Sequence, residues 1–357
     1  MSRPVRLVGR GADSNPPSRF DRIRHEHEPL PLDPDDEPPR LVTEWIADRT
    51  RSIIATNESP DVGFDASLNP YRGCEHGCIY CYARPTHEYL GYSAGLDFES
   101  RILAKPDAPT LLRRALESRS WVPRPLALSG VTDPYQPLER ELQITRRCLE
   151  VLVEFRNPVG IVTKSQLITR DIDLLARLAE HRAVIVFLSI TTLDPRLARA
   201  LEPRASLPRQ RLAAMADLAR AGIPTGLMLA PVIPGLTDSE IPAIVAAAAQ
   251  AGATCAHSVL LRLPGAVAGL FEDWLDRHLP ARKPRVLQRL RAMRGGALND
   301  PRFGHRMRGD GPIAEAIATM FRVACLRAGL NQRSPTLSTL AFRRPGVETQ
   351  GTLFEVD

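Results

Sequence analysis

The 357-residue sequence has no run of about 18 or more apolar residues, so it contains no stretch long enough to cross a bilayer as a helix. Its opening residues, MSRPVRLVGRGADSNPPSR, lack the continuous apolar stretch of a secretory signal. Six cysteines are present, three of them isolated, and their spacing does not describe a disulfide framework. These absences together point to the cytosol and to no membrane partner. Solenoid-type repeats are lacking too. Neither sign of charge dominates: 47 Lys and Arg against 41 Asp and Glu give a net charge of +6. Such a surplus is as compatible with a plain solvated basic surface as with a nucleic-acid partner. What the chain does have is apolar residues, 43% of the total, enough for the core of one large domain with appendages.

Residues 1–50 are rich in Pro, Asp, Glu and Arg, with PLPLDPDDEPPR as the extreme case. They cannot bury enough apolar surface to offset their ordering entropy, so they read as a mostly extended or disordered arm. Leu41 to Ile54 reads as a short element that docks on the main body. Residues 51–295 form the core domain, 296–345 a C-terminal helical extension covering it, and 346–357 a flexible tail. Apolar strands are expected at 125–130, 159–164, 184–191, 225–232 and 258–263. Between and after them, helices are expected near 111–118, 142–155, 168–179, 208–221, 239–251, 269–278, 286–293 and 313–328. This alternation implies parallel βα units, and with 258–263 counted as the sixth strand it suggests an open or partial α/β barrel. Right-handed crossovers then place every C-terminal strand end on one face, where loops build a site.

The segment Asn69-Pro-Tyr-Arg-Gly-Cys-Glu-His-Gly-Cys-Ile-Tyr-Cys-Tyr-Ala83 holds three cysteines at spacing C-x3-C-x2-C. Zinc modules usually offer two separated pairs of ligands, and no second pair is present. A cubane iron–sulfur cluster takes four ligands, so Cys74, Cys78 and Cys81 would leave one iron open to a chelating molecule. Zinc and chance clustering are the alternatives. Gly73 and Gly77 suit a tightly bending loop, because glycine tolerates positive φ. Cys148, Cys255 and Cys325 sit in apolar surroundings and read as small buried residues.

The C-x3-C-x-aromatic-C pattern is similar to the signature of radical S-adenosylmethionine (SAM) enzymes. More narrowly, NPYRGCEHGCIYCYA resembles the spore photoproduct lyase-like branch, often labelled DNA repair photolyases, over roughly residues 60–345. The resemblance implies a partial (βα)6 radical SAM barrel, a 4Fe–4S cluster on Cys74, Cys78 and Cys81, and S-adenosyl-L-methionine on the open iron. It implies that the reduced cluster cleaves the sulfonium, giving a 5′-deoxyadenosyl radical that abstracts hydrogen. It further implies Tyr80 near adenine, Thr132 and Asp133 for the methionyl ammonium, and Lys164 for the carboxylate. Ser189, or Thr191, falls to ribose or carboxylate, and Arg204 is a further carboxylate candidate whose bland alternative is an ordinary ion pair.

The lyases proper carry a cysteine just ahead of their Ser-Asp turn as a hydrogen-atom donor. Gly130 and Val131 occupy that place here, which points to a bacterial sister group with another substrate. Nucleic acid, RNA, a protein or a small molecule are candidate substrates, and the basic loop Arg302–Arg308 fits several of them. A non-catalytic Fe–S or zinc module in DNA metabolism is the alternative from another class. A flavodoxin or ferredoxin would serve as reductant. The tail Gln350-Gly-Thr-Leu-Phe354 resembles the peptide by which bacterial repair proteins dock on the DNA sliding clamp. His76, Tyr82, Arg84, His87 and Glu88 flank the cysteines and either line the substrate side or pack the loop.

Overall fold

A computed structural model of the chain describes residues 10–21, 41–332 and 335–345. Ten strands are formed among them: β1 (Glu44–Ala47), β2 (Ile54–Thr56), β3 (Ala66–Leu68), β4 (Tyr71–Arg72), β5 (Arg101–Ala104), β6 (Leu126–Leu128), β7 (Val159–Thr163), β8 (Val184–Ser189), β9 (Thr225–Val232) and β10 (Cys255–Leu260). Seven of them make one sheet in the order β10-β9-β8-β7-β6-β3-β2. The run from β3 to β10 is parallel throughout, and only β2 is antiparallel, pairing with β3 at the edge. A small second sheet, β1-β5-β4, lies beside the cysteine segment.

The crossovers explain the parallel order. Between β3 and β6 come the cysteine loop, α1 (Leu96–Ser100), β5 and α2 (Ala108–Glu117). Helices α3 (Glu139–Leu142) and α4 (Ile144–Phe155) lead to β7, and α5 (Ile172–Ala179) leads to β8. Helices α6 (Pro195–Leu201) and α7 (Pro208–Arg220) lead to β9, and α8 (Ile241–Gln250) leads to β10. The longer ones bury an apolar face; in α5, Leu174, Leu175 and Leu178 are buried at helical spacing. Strand β8 is apolar and almost wholly buried on both faces, as a central parallel strand covered by helices must be. The expected open α/β barrel of six parallel strands is therefore the architecture observed.

Local boundaries differ from the sequence expectation for identifiable reasons. The last strand is Cys255–Leu260, three residues ahead of the expected 258–263. Leu261 and Leu263 leave the sheet for a second apolar cluster with α9 (Val267–His278) and α10 (Lys283–Ala292). The helix expected at 142–155 is interrupted by Gln143, whose φ of 50° separates α3 from α4. The helix expected from 168 opens instead as a 3-10 turn over Gln166–Asp171, capped by the Ser165 hydroxyl.

Residues 10–21, inside the stretch expected to be an arm, lie against the body. The Glu99 carboxylate accepts from the amides of Gly11 (2.9 Å) and Ala12 (2.8 Å), and Asp13 pairs with Arg277. The extension after α10 ties the two edges of the large sheet together. Loop 302–309 donates Gly304 N–H to Asp61 (2.6 Å) beyond β2, and it accepts Leu260 N–H of β10 at Met307 O (3.0 Å). Helix α11 (Gly311–Arg327) then packs on α8. Among the described residues no helix is long and apolar enough to cross a membrane.

Candidate active site at the strand ends

The cysteine loop leaves β4 at the C-terminal side of β3. Gly73 (φ +79°) and Gly77 (φ +66°) both occupy the left-handed region. A Cβ at Gly77 would lie 2.7 Å from the Glu99 carboxylate, so the loop needs glycine for space as well as conformation. The loop is tied from all sides. Cys74 N–H donates to Phe98 O (2.9 Å), Glu75 N–H to the Gln136 side chain (2.9 Å), and Ile79 N–H to Leu201 O (3.0 Å). Arg84 donates to the carbonyls of Cys78 (3.0 Å), Ala94 (3.1 Å), Gly95 (2.9 Å) and Gly77 (3.3 Å), and pairs with Glu99. Both members of that pair are fully buried. Arg84 and His87, left open between lining and packing by the sequence, are thus packing residues; His87 is held through Nε2 on Arg101 O (2.9 Å).

All three loop cysteines are free thiols, with Cys74 and Cys78 buried and Cys81 half-buried. Burial raises the pKa of each. The Cys74 thiol is raised further by Asp133 and by the other two cysteines, while Lys164 opposes the shift at Cys78 and Cys81. Among the described residues no three His, Cys, Asp or Glu side chains converge as ligands of a single ion would. This donor set, three sulfurs with no second ligand pair, fits an iron–sulfur group better than a four-ligand structural zinc site. The thiols are stable as neutral groups until a cation replaces their protons.

Around the thiols the strand ends carry one connected polar network. Asp133, in the turn after β6, accepts from Thr163 Oγ1 (2.7 Å), Lys164 N–H (2.8 Å), Tyr135 N–H (2.9 Å) and His76 Nδ1 (3.3 Å). Burial alone would raise its carboxyl, but His76 and the Lys164 and Thr163 donors outweigh it and hold the group down to about 2. A carboxylate offers about four lone-pair sites. Four donors of the protein itself therefore engage Asp133. Thr132 donates to Tyr71 O (3.1 Å) and keeps acceptor lone pairs.

Lys164 Nζ donates to Ser189 Oγ (2.9 Å), and Ser189 Oγ donates to Ala230 O (3.0 Å), joining β7, β8 and β9. Lys164 Nζ lies 5.9 Å from the Tyr80 ring centroid. The Tyr80 hydroxyl bonds Glu202 and Thr191, and Glu202 pairs with Arg211, both being essentially inaccessible to solvent. Tyr80, Lys164 and Ser189 are thus brought together, whereas Arg204 is not. Its guanidinium pairs with Glu75 (2.9 Å) and Thr43 (3.2 Å) on the flank of the loop, the ion pair of the bland alternative. Sequence reasoning missed Glu202 and Arg211; a Glu and an Arg nine residues apart carry no spacing signal, and only α7 folding beneath β8 joins them.

Three thiols thus sit in a glycine-bent loop at the C-terminal strand ends of an open, six-stranded parallel α/β sheet, with Lys164 at the end of β7. Residues 68–248 match the Radical SAM superfamily, and the chain belongs to it. An uncharacterised protein of Mycobacterium tuberculosis is 37% identical over 231 residues, spanning 63% of this chain and 68% of its own. A radical SAM Nalpha-GlyT isomerase of Pseudomonas phage M6 is 26% identical over 197 residues, 55% of this chain and 39% of that one. Among solved structures, spore photoproduct lyase complexed with dinucleoside spore photoproduct superposes with a TM-score of 0.55 at 16% identity, covering 80% of both chains. At that identity the likeness is one of fold.

Proposed function

We propose that this chain is a radical SAM enzyme that binds a 4Fe–4S cluster through Cys74, Cys78 and Cys81 and abstracts hydrogen from a nucleic-acid substrate. The observation that carries the reading is the placement of three free thiols in one glycine-bent loop at the strand ends of a superfamily domain. A cluster held by Cys74, Cys78 and Cys81 would supply the one-electron reduction that cleaves the S-adenosylmethionine sulfonium to a 5′-deoxyadenosyl radical. The chain's own residues position that cofactor. Lys164, steadied by Ser189, pairs its ammonium with the methionyl carboxylate. Thr132 accepts from the methionyl ammonium, and Asp133 holds the turn that presents Thr132. The Tyr80 ring, its hydroxyl fixed by Glu202 and Thr191, flanks the adenine. Burial of Cys74 and Cys78 keeps water from the reactive centre.

Anaerobic reconstitution tests this directly. The expected product is a brown protein with about four irons per chain that forms 5′-deoxyadenosine from S-adenosylmethionine under dithionite. A protein that loads zinc instead and cleaves nothing would support the non-catalytic binding module. Undiminished cleavage by Cys74→Ala would refute the ligand assignment. The proposal extends to a cytosolic location and to reduction by a flavodoxin or ferredoxin. Nucleic-acid action requires binding that weakens steeply with salt; salt-insensitive behaviour would favour a small-molecule or protein substrate. The clamp-docking peptide at 350–354 lies outside the described residues. Its test is recovery on immobilised sliding clamp of wild type against the Leu353→Ala/Phe354→Ala double variant.

A further inference from the structure

Beyond the cofactor network, the mouth of the barrel holds a cation that the fold does not neutralise. Arg262 follows β10. Its Nε is buried without a hydrogen-bond partner, and its Nη1 meets only the Met307 sulfur at 3.5 Å. Among the described residues no carboxylate lies in salt-bridge reach of it; Asp61 is already engaged by Arg306 and by Gly304 N–H. Burial, then the nearby Arg306, lowers the Arg262 pKa, so the charge is held at a cost.

What Arg262 does touch is an aromatic face. Its guanidinium carbon is 5.4 Å from the centroid of Tyr82, the residue after Cys81. Tyr82 reaches across to donate its hydroxyl to Gly130 O beyond β6, and the residue is 49% exposed. A second pair of the same kind stands beside it: Arg306 lies 4.5 Å over the ring of Phe303, which is 57% exposed. An unpaired arginine and two exposed aromatic rings, next to a cysteine of the proposed cluster, are the elements by which unstacked nucleotides are held.

We propose that Tyr82 and Arg262 form the substrate subsite, with Tyr82 stacking an unpaired base of a single-stranded nucleic acid and Arg262 taking the adjoining phosphodiester. Phe303 supplies a second stacking surface for the neighbouring base. This rests on the radical SAM reading and names the substrate class of that same site. It also assigns the Arg302–Arg308 loop a narrower role than its charge suggests. Arg302 is paired with Asp300 and Asp310 and Arg306 with Asp61, so the loop contributes a ring more than a field.

The test is fluorescence anisotropy of the reconstituted protein with short labelled oligothymidylate and oligouridylate, as a function of salt. Tyr82→Ala is expected to weaken binding at least about fivefold, the lower end of base–aromatic stacking. Arg262→Gln is expected to weaken it and to reduce the slope of log affinity on log salt by about 0.7, one single-strand phosphate contact. Arg262→Lys should restore the slope with only part of the affinity. Whichever oligonucleotide binds more tightly identifies DNA or RNA as the source of the chemistry. Variants are compared at equal iron content and equal melting temperature, and Tyr82→Leu stands in if Tyr82→Ala misfolds. A wild-type protein that forms 5′-deoxyadenosine but binds neither oligonucleotide overturns the subsite, as does binding that the variants leave unchanged. A wild-type protein that forms no 5′-deoxyadenosine overturns the underlying reading instead.

Discussion

The Arg84–Glu99 pair sets a demanding test of how the cysteine loop is held. Glu99 faces three donors, the amides of Gly11 and Ala12 and the Arg84 guanidinium, and the pair has no solvent contact. In Glu99→Gln the side chain keeps its shape and loses its charge, leaving Arg84 as a buried cation with only carbonyl partners. Removing one member of a buried pair typically costs about 3–5 kcal/mol. An exposed pair such as Arg113–Glu154, with side chains 38% and 36% exposed, is worth at most about 1 kcal/mol. Urea unfolding of Glu99→Gln and Glu154→Gln under argon should therefore differ several-fold in the stability lost. A double-mutant cycle with Arg84→Met should return a coupling of about 2 kcal/mol or more. The same Glu99→Gln protein should retain less iron after gel filtration, because Arg84 also holds the Cys78 carbonyl. Equal losses at the two glutamates, or a coupling near zero, would refute the argument that this pair fixes the loop.

Gly77→Ala places a methyl against Glu99 at a positive φ, and should cost about 1–3 kcal/mol with a parallel fall in iron content. Lys164→Met should raise the Kd for S-adenosylmethionine roughly tenfold or more, the loss of a charge-assisted contact, as read by equilibrium dialysis. Asp133→Asn should lower the melting temperature while moving that Kd less than Lys164→Met does, because its partners are His76, Thr163 and backbone amides. Lys105, buried and beside Arg72, is lowered to about 8, against about 10.4 in an unfolded chain. The unfolded chain binds more protons between those values, so this group's contribution to stability rises with pH across the window. Relative to Lys105→Met, the wild type should gain about 3 kcal/mol between pH 7.5 and 10.5; a pH-independent difference would count against the shift.

Much of the architecture was legible because a parallel strand and its crossover helix advertise themselves. Val184–Ser189 is apolar on both faces, and α7, the second helix after it, is opened by Pro208 and followed by Gly222. The cysteine loop was legible from spacing alone. The last strand was misplaced because Leu261 and Leu263 are as apolar as Val259, and periodicity cannot tell which apolar cluster a leucine joins. Asp133 and Arg204 were read for their charge, yet what a charge does depends on the donors folded around it. Four donors absorb Asp133, and Glu75 absorbs Arg204. The packing of residues 10–21 was hidden for the converse reason, since it rests on scattered polar ties such as Glu99 and Arg277 and on a single buried Ala12, with no apolar pattern.

The way the cysteine loop is fastened bears on what removing iron would do to the protein. Each turn of that loop is pinned by Gln136, Glu75, Arg84 or Glu99, and its apolar residues Ile79 and Tyr80 belong to a core cluster. The contacts that order the loop are thus hydrogen bonds and packing from the rest of the fold. If the proposed cluster is bound there, these contacts predict a loop that keeps its shape when the iron is removed, in contrast to small zinc domains that unfold when stripped. A chelator-treated protein of that kind would stay folded and could be refilled.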